Sequence, residues 1–544
     1  MRPFGSAQRF SARRPLRYAL LGGLVALAVP LVAFATGSAS WPSGGQNSAN
    51  THSQSDESKI SPSTVGRLQL KWTATTHGDV SAIPAVVDGA VYFPDWGQGF
   101  LSGYLNKVDA DTGATIWSKP ISDYTGVPND AARAAPVVQG NTVYLGDQGA
   151  QPGFPGGYST GGGYLFAVNA TTGKPIWTTK VDQHPNAIIT SGALLVQGVL
   201  YVGVASSEEG AAAFTGFPCC TFRGSVVAVD AKTGQILWQT YMVPDNGGVP
   251  GGYSGNGVWG TTPAYDPQSK TLYVTTGNNY SVPASAKQCQ QGGGTPAQCL
   301  DPTDYLDSIV ALDSANGKIK WATRLSSFDD WNVACIAGDP ANCPADPGPD
   351  FDFGSGPNLF KVNGNLVVGA GQKSGIYFAL DAATGKVLWT NQAGPGSSLG
   401  GIEWGPATDG NRIYVAEENF YGIPYAIPGG GTITSGSWAA LDPATGQTLW
   451  QVADPSHNLF GGGNALGPVT VANGVVFAPS MSGIVRALDA STGTTLWSQQ
   501  LPGAAVGGAA VVNGVVYWGN GYSHLGIPGW PGNNKLYAFS LGGK

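Results

Sequence analysis

Along most of the chain, apolar and polar positions alternate for five or six residues, stop at an Asp or Asn, and resume after a Thr-Gly or Asn-Gly. The phrase recurs as "KVDADTGATIW", "AVNATTGKPIW", "AVDAKTGQILW", "ALDSANGKIKW", "ALDAATGKVLW", "ALDPATGQTLW" and "ALDASTGTTLW". A period of two predicts strands, and an Asp followed by a glycine able to take positive φ predicts the tight turn of a β-hairpin. Each hairpin ends on a tryptophan, at Trp117, Trp177, Trp238, Trp321, Trp389, Trp450 and Trp497. A large apolar ring with a single N–H donor suits docking one hairpin against the next. An eighth strand, "LQLKW", ends at Trp72 without its own turn, and the chain finishes on "KLYAFSLGGK", which has lost both turn and tryptophan. These two fragments complement one another. Joined, they predict an all-β, eight-bladed β-propeller over residues 60–544, its ring closed by the N- and C-terminal strands so that no sheet edge stays open. A seven-bladed ring with an accessory segment is the alternative. Residues 40–59, polar and Ser-rich, read as a short leader.

Composition agrees with this pattern. With 82 Gly, 38 Pro and only 11% charged residues, the chain suits a turn-rich β fold rather than a helical or disordered one. The formal net charge of −7 and the lack of a basic stripe speak against nucleic acid as a partner. The first 39 residues differ from the rest: Arg2, Arg9, Arg13, Arg14 and Arg17 precede an apolar run from Tyr18 to Ala35 and then small residues. That is the form of a secretory signal with cleavage after Ala35 or Ala39, which leaves no stable membrane insertion; an uncleaved anchor is the alternative. Export to the periplasm, the cell surface or the medium lets cysteines remain oxidised, so Cys289 with Cys299 and Cys335 with Cys343 read as short loop staples. Cys219 and Cys220 are adjacent, and a bond between them closes no loop that could stabilise the fold by chain entropy.

A propeller does not define a function, so the chemistry must be sought in the loops. The sequence holds no CxxCH motif for covalent haem attachment, and its five His show no metal-ligand spacing. Four stretches concentrate the remaining candidates: "VGVASSEEGAAAFTGFPCCTFRGSVVAVD", "GVWGTTPAYDPQSKTLYVTTGNNYS", "DSIVALDSANGKIKWATRLSSFDDWNVAC" and "VGAGQKSGIYFALD". With the tryptophan repeat they resemble the alcohol dehydrogenases that depend on pyrroloquinoline quinone (PQQ), which are eight-bladed propellers. Among these, "FPCCTFRG", "TGNNYS", "DDWNVAC" and "GPDFDFGSGPNLF" are most similar to the polyvinyl-alcohol dehydrogenases.

The resemblance implies PQQ and calcium as cofactors, an alcohol as substrate and a separate cytochrome c as electron acceptor. It implies Glu208 of "SSEEG", with Glu209 as the fallback, and Asn278 of "TGN" as calcium ligands. Trp259 of "GVWG" would stack beneath the quinone, and Lys373 of "QKSG" would touch its oxygens. Arg223 would pair with a cofactor carboxylate, and a disulfide between Cys219 and Cys220 would cover the ring face opposite Trp259. The chemistry is consistent, because calcium takes hard oxygen ligands, and an alcohol losing a hydride also needs a carboxylate to take its proton. The family's D-x-W-D appears here as Asp329-Asp330-Trp331-Asn332. An amide cannot act as a base, so Asp329, then Asp330, are the expected bases, with Asn332 retained as a calcium ligand through its carbonyl. The alternative is that both aspartates merely bind backbone amides. Ala334 stands where lanthanide-using relatives carry a second acid, which favours calcium. Two further readings stay open: a non-catalytic scaffold of the outer-membrane-assembly type, and a quinoprotein that has lost turnover.

Overall fold

The hairpins predicted from the repeat stack around a ring. In the computed structural model, which describes residues 39–99, 101–150, 160–260 and 262–544, eight antiparallel sheets of four or more strands follow one another along the chain. Blade 1 is formed by Ala85–Val87, Ala90–Asp95, Tyr104–Asp109 and Thr115–Pro120. Blades 2 to 7 repeat this order over residues 137–180, 194–241, 264–324, 358–392, 407–453 and 470–500. Blade 8 takes three strands from residues 510–541, and its fourth is the N-terminal strand Leu68–Thr75, paired antiparallel with Lys535–Leu541. The eight-bladed, terminus-closed ring expected from the two incomplete fragments is thus observed. The proposed signal segment lies outside the described residues.

Every element of the repeated phrase has a contact to explain it. In blade 1, Asp109 Oδ1 accepts the backbone N–H of Asp111 and Thr112 and the Thr112 hydroxyl, which closes the turn. Gly113 takes φ 73°, and a Cβ there would lie 2.6 Å from the Trp72 ring of the preceding blade. Glycine is therefore demanded twice, by the turn and by the neighbouring indole. The indole N–H completes the joint: Trp72 donates to Ala110 O at 3.1 Å, Trp117 to Ala170 O at 3.1 Å, Trp321 to Ala382 O at 3.2 Å, and so on around to Trp497, which donates to Leu68 O at 3.0 Å. The middle strands lie between two neighbours and are buried on both faces, as in Ser225–Asp230.

Residues 40–59, read as a short leader, are hydrogen-bonded to the ring. Trp41 is fully buried and exchanges backbone hydrogen bonds with Val86 of blade 1. Pro42 O accepts from Val138 N, Ser48 O from Tyr265 N, Ala49 O from Leu359 N, Thr51 O from Thr408 N and His52 O from Val471 N. Ser53–Gln54 then pairs parallel with the first strand of blade 7, and Gln54 donates to Val511 O of blade 8. The segment is a belt stitched to the inner strands of blades 1, 2, 4, 5, 6, 7 and 8. Its polar side chains serve hydrogen bonds rather than solvent, which composition cannot distinguish.

Candidate functional site

The long loops of blades 3 to 5 meet those of blades 2, 6 and 8 around a cavity of about 260 Å³. Its walls include Trp259, Trp404 and Trp530, and its charged groups are Arg133, Glu209, Asp352, Lys373 and Glu403. Trp259 and Trp404 approach edge to face, with ring centroids 5.4 Å apart. Trp404 takes φ 60°, an uncommon conformation for a bulky side chain and one that recurs at functional sites.

Lys373 organises the charges. Its Nζ donates to Asp350 Oδ1 at 3.0 Å, lies 3.5 Å from Asp352 Oδ2 and sits 5.3 Å above the centre of the Trp259 ring. Asp352 is the tie between elements. Its Oδ2 accepts the Trp259 indole N–H at 2.7 Å, and its Oδ1 accepts the backbone N–H of Asn278 at 2.5 Å. Burial alone would depress Lys373, but Asp350, Asp352, Glu209 and Glu403 outweigh it and hold the ammonium well above its usual range. Burial, then Asp352, push Glu209 up to about 8, with Lys373 acting the other way. Burial likewise raises Glu403 to about 7 against the opposing pull of Lys373. One ammonium and one guanidinium therefore face three carboxyls of the lining, Glu209, Asp352 and Glu403, in a poorly solvated space.

The expected residues divide into two groups. Trp259 and Lys373 stand in the cavity wall. Asn278 is buried just behind it: its amide donates to Trp331 O at 3.0 Å, while its side-chain carbonyl oxygen is buried without a hydrogen-bond partner. That is the unsatisfied hard oxygen a calcium ligand requires. Of the two adjacent glutamates, Glu209 lines the cavity, whereas Glu208 turns away, its carboxylate accepting the backbone N–H of Thr221 at 2.8 Å and of Phe222 at 2.8 Å. Glu208 thereby anchors the loop just after the paired cysteines.

The other candidates have structural partners of their own. Asp329, expected as the base, accepts the backbone N–H of Asp350 at 2.9 Å and of Phe351 at 2.6 Å, so it shapes the loop that carries Asp350 and Asp352. Asp330 is paired with Lys287 at 2.7 Å, on the helix Ala284–Gln291. Asn332 caps a short helix by accepting from Ala334 N at 3.0 Å, and its amide donates to Asn342 O at 2.9 Å. Arg223 lies 4.0 Å over the Tyr241 ring and 3.3 Å from Asp245, away from the cavity. The Cys219–Cys220 disulfide is formed, but it packs against Phe222, Ala334 and the Tyr280 that itself lines the cavity. Neither cysteine is among the residues that line the cavity. Cys289–Cys299 and Cys335–Cys343 are also paired, as their spacing suggested.

Residues not singled out from the sequence complete the site. Asp350 and Asp352 stand within the quoted "GPDFDFGSGPNLF", and two acids inside an otherwise apolar run were the available signal. Arg133, a lone charge in "AARAAP", has its guanidinium 4.7 Å from the centre of the Trp404 ring and donates to the Tyr522 hydroxyl at 2.7 Å. Glu403 and Trp404 follow a glycine pair in "GGIEWG" and carried no recognisable pattern.

The propeller with its central aromatic and acidic cavity matches a known family. Residues 41–340, more than half the chain, fit the model of the glucose/ethanol/alcohol dehydrogenase β-propeller domain, the PQQ family. The chain belongs to this family. Residues 306–427 and 434–540 also fit the model of the outer-membrane protein assembly factor BamB. The chain is 28% identical to the polyvinylalcohol dehydrogenase of Pseudomonas sp over 88% of its own length and 74% of that protein's. It is 29% identical to the polyvinylalcohol dehydrogenase of Sphingopyxis sp. (strain 113P3) over 78% of its own length, but spans only 61% of that protein's. In fold, the crystal structure of quinohemoprotein alcohol dehydrogenase from Comamonas testosteroni superimposes with a TM-score of 0.67 at 22% identity, covering 93% of this chain and 81% of that one.

PQQ, the cofactor that the family implies, is a planar anion and needs an apolar face and cations beside it, which the Trp259 indole, Lys373 and Arg133 offer. The acids Glu209 and Asp352 and the orphan oxygen of Asn278 are hard donors of the type calcium takes. The residues present fit both groups.

Proposed function

We propose that this protein is an exported PQQ- and calcium-dependent dehydrogenase that oxidises alcohols, with secondary hydroxyls of a polymer such as polyvinyl alcohol as its substrate class and a separate cytochrome c as electron acceptor. Family membership and the likeness to two polyvinylalcohol dehydrogenases support the reading. The observation that carries it is the convergence of Trp259, Lys373, Arg133, Glu209, Asp352 and Glu403 on one cavity. In this reading residues 1–39 direct export, and among the described residues no helix is long and apolar enough to cross a membrane.

PQQ, when bound, supplies a quinone that accepts a hydride. The chain's own groups do the rest. Trp259 offers a flat apolar face whose orientation is locked by its hydrogen bond to Asp352. Arg133, in place of Arg223, would be the cation for the cofactor's carboxylates, and Lys373 would offer its ammonium to a quinone oxygen. Glu209 and the side-chain oxygen of Asn278 would be the ligands offered to calcium, and Asp352 fixes the backbone of Asn278. Glu403 takes the alcohol proton. It lines the cavity directly and its carboxyl is raised to about 7, suited to accepting a proton near neutrality, whereas Asp329 is occupied by two backbone amides. The decisive test is reconstitution of purified protein with PQQ and calcium, followed by absorbance titration and an alcohol screen with a dye acceptor. Saturable quinone binding and turnover are expected. Absence of both would leave the scaffold reading, to which the assembly-factor match points.

A further inference from the structure

The cavity opens onto a surface of unusual character. On the side of blades 5 to 8 the loops at residues 394–402 and 521–532 line the cavity, those at 419–436 and 455–463 adjoin them, and none of the four contains an Asp, Glu, Lys or Arg. Instead they expose large apolar side chains: Leu459 is 71% exposed, Phe460 56%, Tyr421 51% and Ile423 46%. These are not scattered. Phe420, buried beneath them, has its ring centroid 5.1 Å from Phe460, 5.2 Å from Tyr421 and 6.3 Å from Trp530. Trp530 is itself a wall of the cavity, 5.7 Å from Tyr522, another wall residue. Leu459 rests against Gly529, where a Cβ would come within 3.1 Å of it. The exposed Tyr421 hydroxyl lies 3.4 Å from the hydroxyl of Ser398, which lines the cavity. An apolar strip with hydroxyl groups along it thus runs without a break from open surface into the site.

A contiguous exposed apolar patch at the mouth of a binding cavity marks something that binds there. Its lack of charge selects the occupant. Nucleic acid or an acidic polymer would need cations, and a redox protein steered into place by its charges would need opposite ones. A small alcohol would fit inside the cavity and leave the strip unused. We propose that the strip formed by Tyr421, Ile423, Leu459 and Phe460 is an exosite for the part of a long, neutral, hydroxyl-bearing chain that flanks the reacting carbinol. Its apolar backbone lies on Phe460 and Leu459, and its hydroxyls meet Tyr421 and Ser398. The proposal rests on the alcohol-oxidising reading but concerns a surface outside the cavity.

The test uses the full-length protein and the double variant Leu459→Ser with Phe460→Ser, whose side chains are exposed. Binding of polyvinyl alcohol is measured by calorimetry before cofactor is added. Steady-state oxidation of polyvinyl alcohol and of 2-butanol is then compared in the reconstituted enzyme. The variant is expected to bind the polymer about tenfold more weakly, a loss of about 1.4 kcal/mol, and to raise the polymer KM by a similar factor, with kcat and all 2-butanol constants held within about twofold. Equal losses on both alcohols, or no loss on either, would overturn the exosite. So would a variant that altered only self-association or only the rate of reducing a protein acceptor, since the strip would then be a docking face for a protein. If the wild-type chain oxidises no alcohol, the functional reading fails, while the polymer-binding arm still decides the exosite.

Discussion

The outer joints of the ring and its central cavity are built from the same residue types on opposite plans. At the joints, one tryptophan, one glycine and one Asp or Asn make the same contact blade after blade, and each unit needs only its neighbour. At the cavity, the tryptophans and acids occur once each: Trp259 precedes blade 4, Asp352 precedes blade 5, Lys373 lies inside blade 5, and Glu403 and Trp404 precede blade 6. No unit there is complete without several others. A local energy repeated many times leaves a periodic trace in a sequence, whereas a constellation assembled once from distant loops leaves none.

The adjacent glutamates compress the same contrast into two residues. Glu208 spends its carboxylate on the backbone amides after the paired cysteines, and Glu209 lines the cavity. Either could ligate a metal on chemistry alone. The first turn of a four-residue helix, Glu208–Ala211, decides which one points inward.

The contrast predicts that damage at the cavity and damage at a joint read out differently. The largest effect is expected at Glu403: Glu403→Gln should lower kcat by about a hundredfold or more with little change in thermal midpoint, as for loss of a general base. Asp329→Asn should instead lower the midpoint and disturb PQQ binding together, because it releases the loop at Asp350 and Phe351. If Asp329→Asn removed turnover from a protein of unchanged stability and PQQ affinity, the assignment of Glu403 would be wrong. At a joint, Trp389→Ala should destabilise by about 3 to 5 kcal/mol, as for a large-to-small core change, and leave PQQ affinity intact in the folded fraction; denaturant titration measures the first and absorbance titration the second. Between the two arginines, Arg133→Ala should weaken PQQ binding about tenfold, worth about 1.4 kcal/mol, and Arg223→Ala should leave it unchanged.

A smaller, distributed effect is expected from pH. Outside the site, burial raises Glu417 to about 8 and Asp304 to about 6, and raises Asp130 to about 6 beside Asp147. Each binds its proton more tightly folded than unfolded, so its stabilising contribution is complete below the ordinary carboxyl range and is lost as pH rises through these values. The thermal midpoint should fall between pH 4.5 and about 8. A midpoint that rose across that window would mean these carboxyls are ionised and compensated in the native protein.

Much of the architecture was legible in the chain. Hairpins, blade number, ring closure and the two loop staples follow from period-two hydrophobicity, turn chemistry and cysteine spacing, all properties of neighbouring residues. Trp259, Lys373 and Asn278 were reached through motif resemblance, which preserves position along the chain. Position along the chain does not report the direction of a side chain. Asp329 and Asn332 stand where the family's acids stand, yet their oxygens meet backbone N–H groups. Arg223 was reached because it follows the cysteines and Arg133 was not singled out, although of the two only Arg133 lines the cavity. Residues 40–59 were read as a short leader because they are polar and Ser-rich, but their hydrogen bonds run to the inner strands of the ring.

By itself, then, the sequence determined that this chain makes seven tryptophan-docked hairpins and an eighth strand pair from its two ends, because each of the seven is specified by about eleven contiguous residues and the two incomplete fragments complement one another. Tertiary structure alone decided which of several acids and arginines line the cavity. That depends on how loops from different blades compete for the same backbone amides, and that competition exists only once the ring has closed.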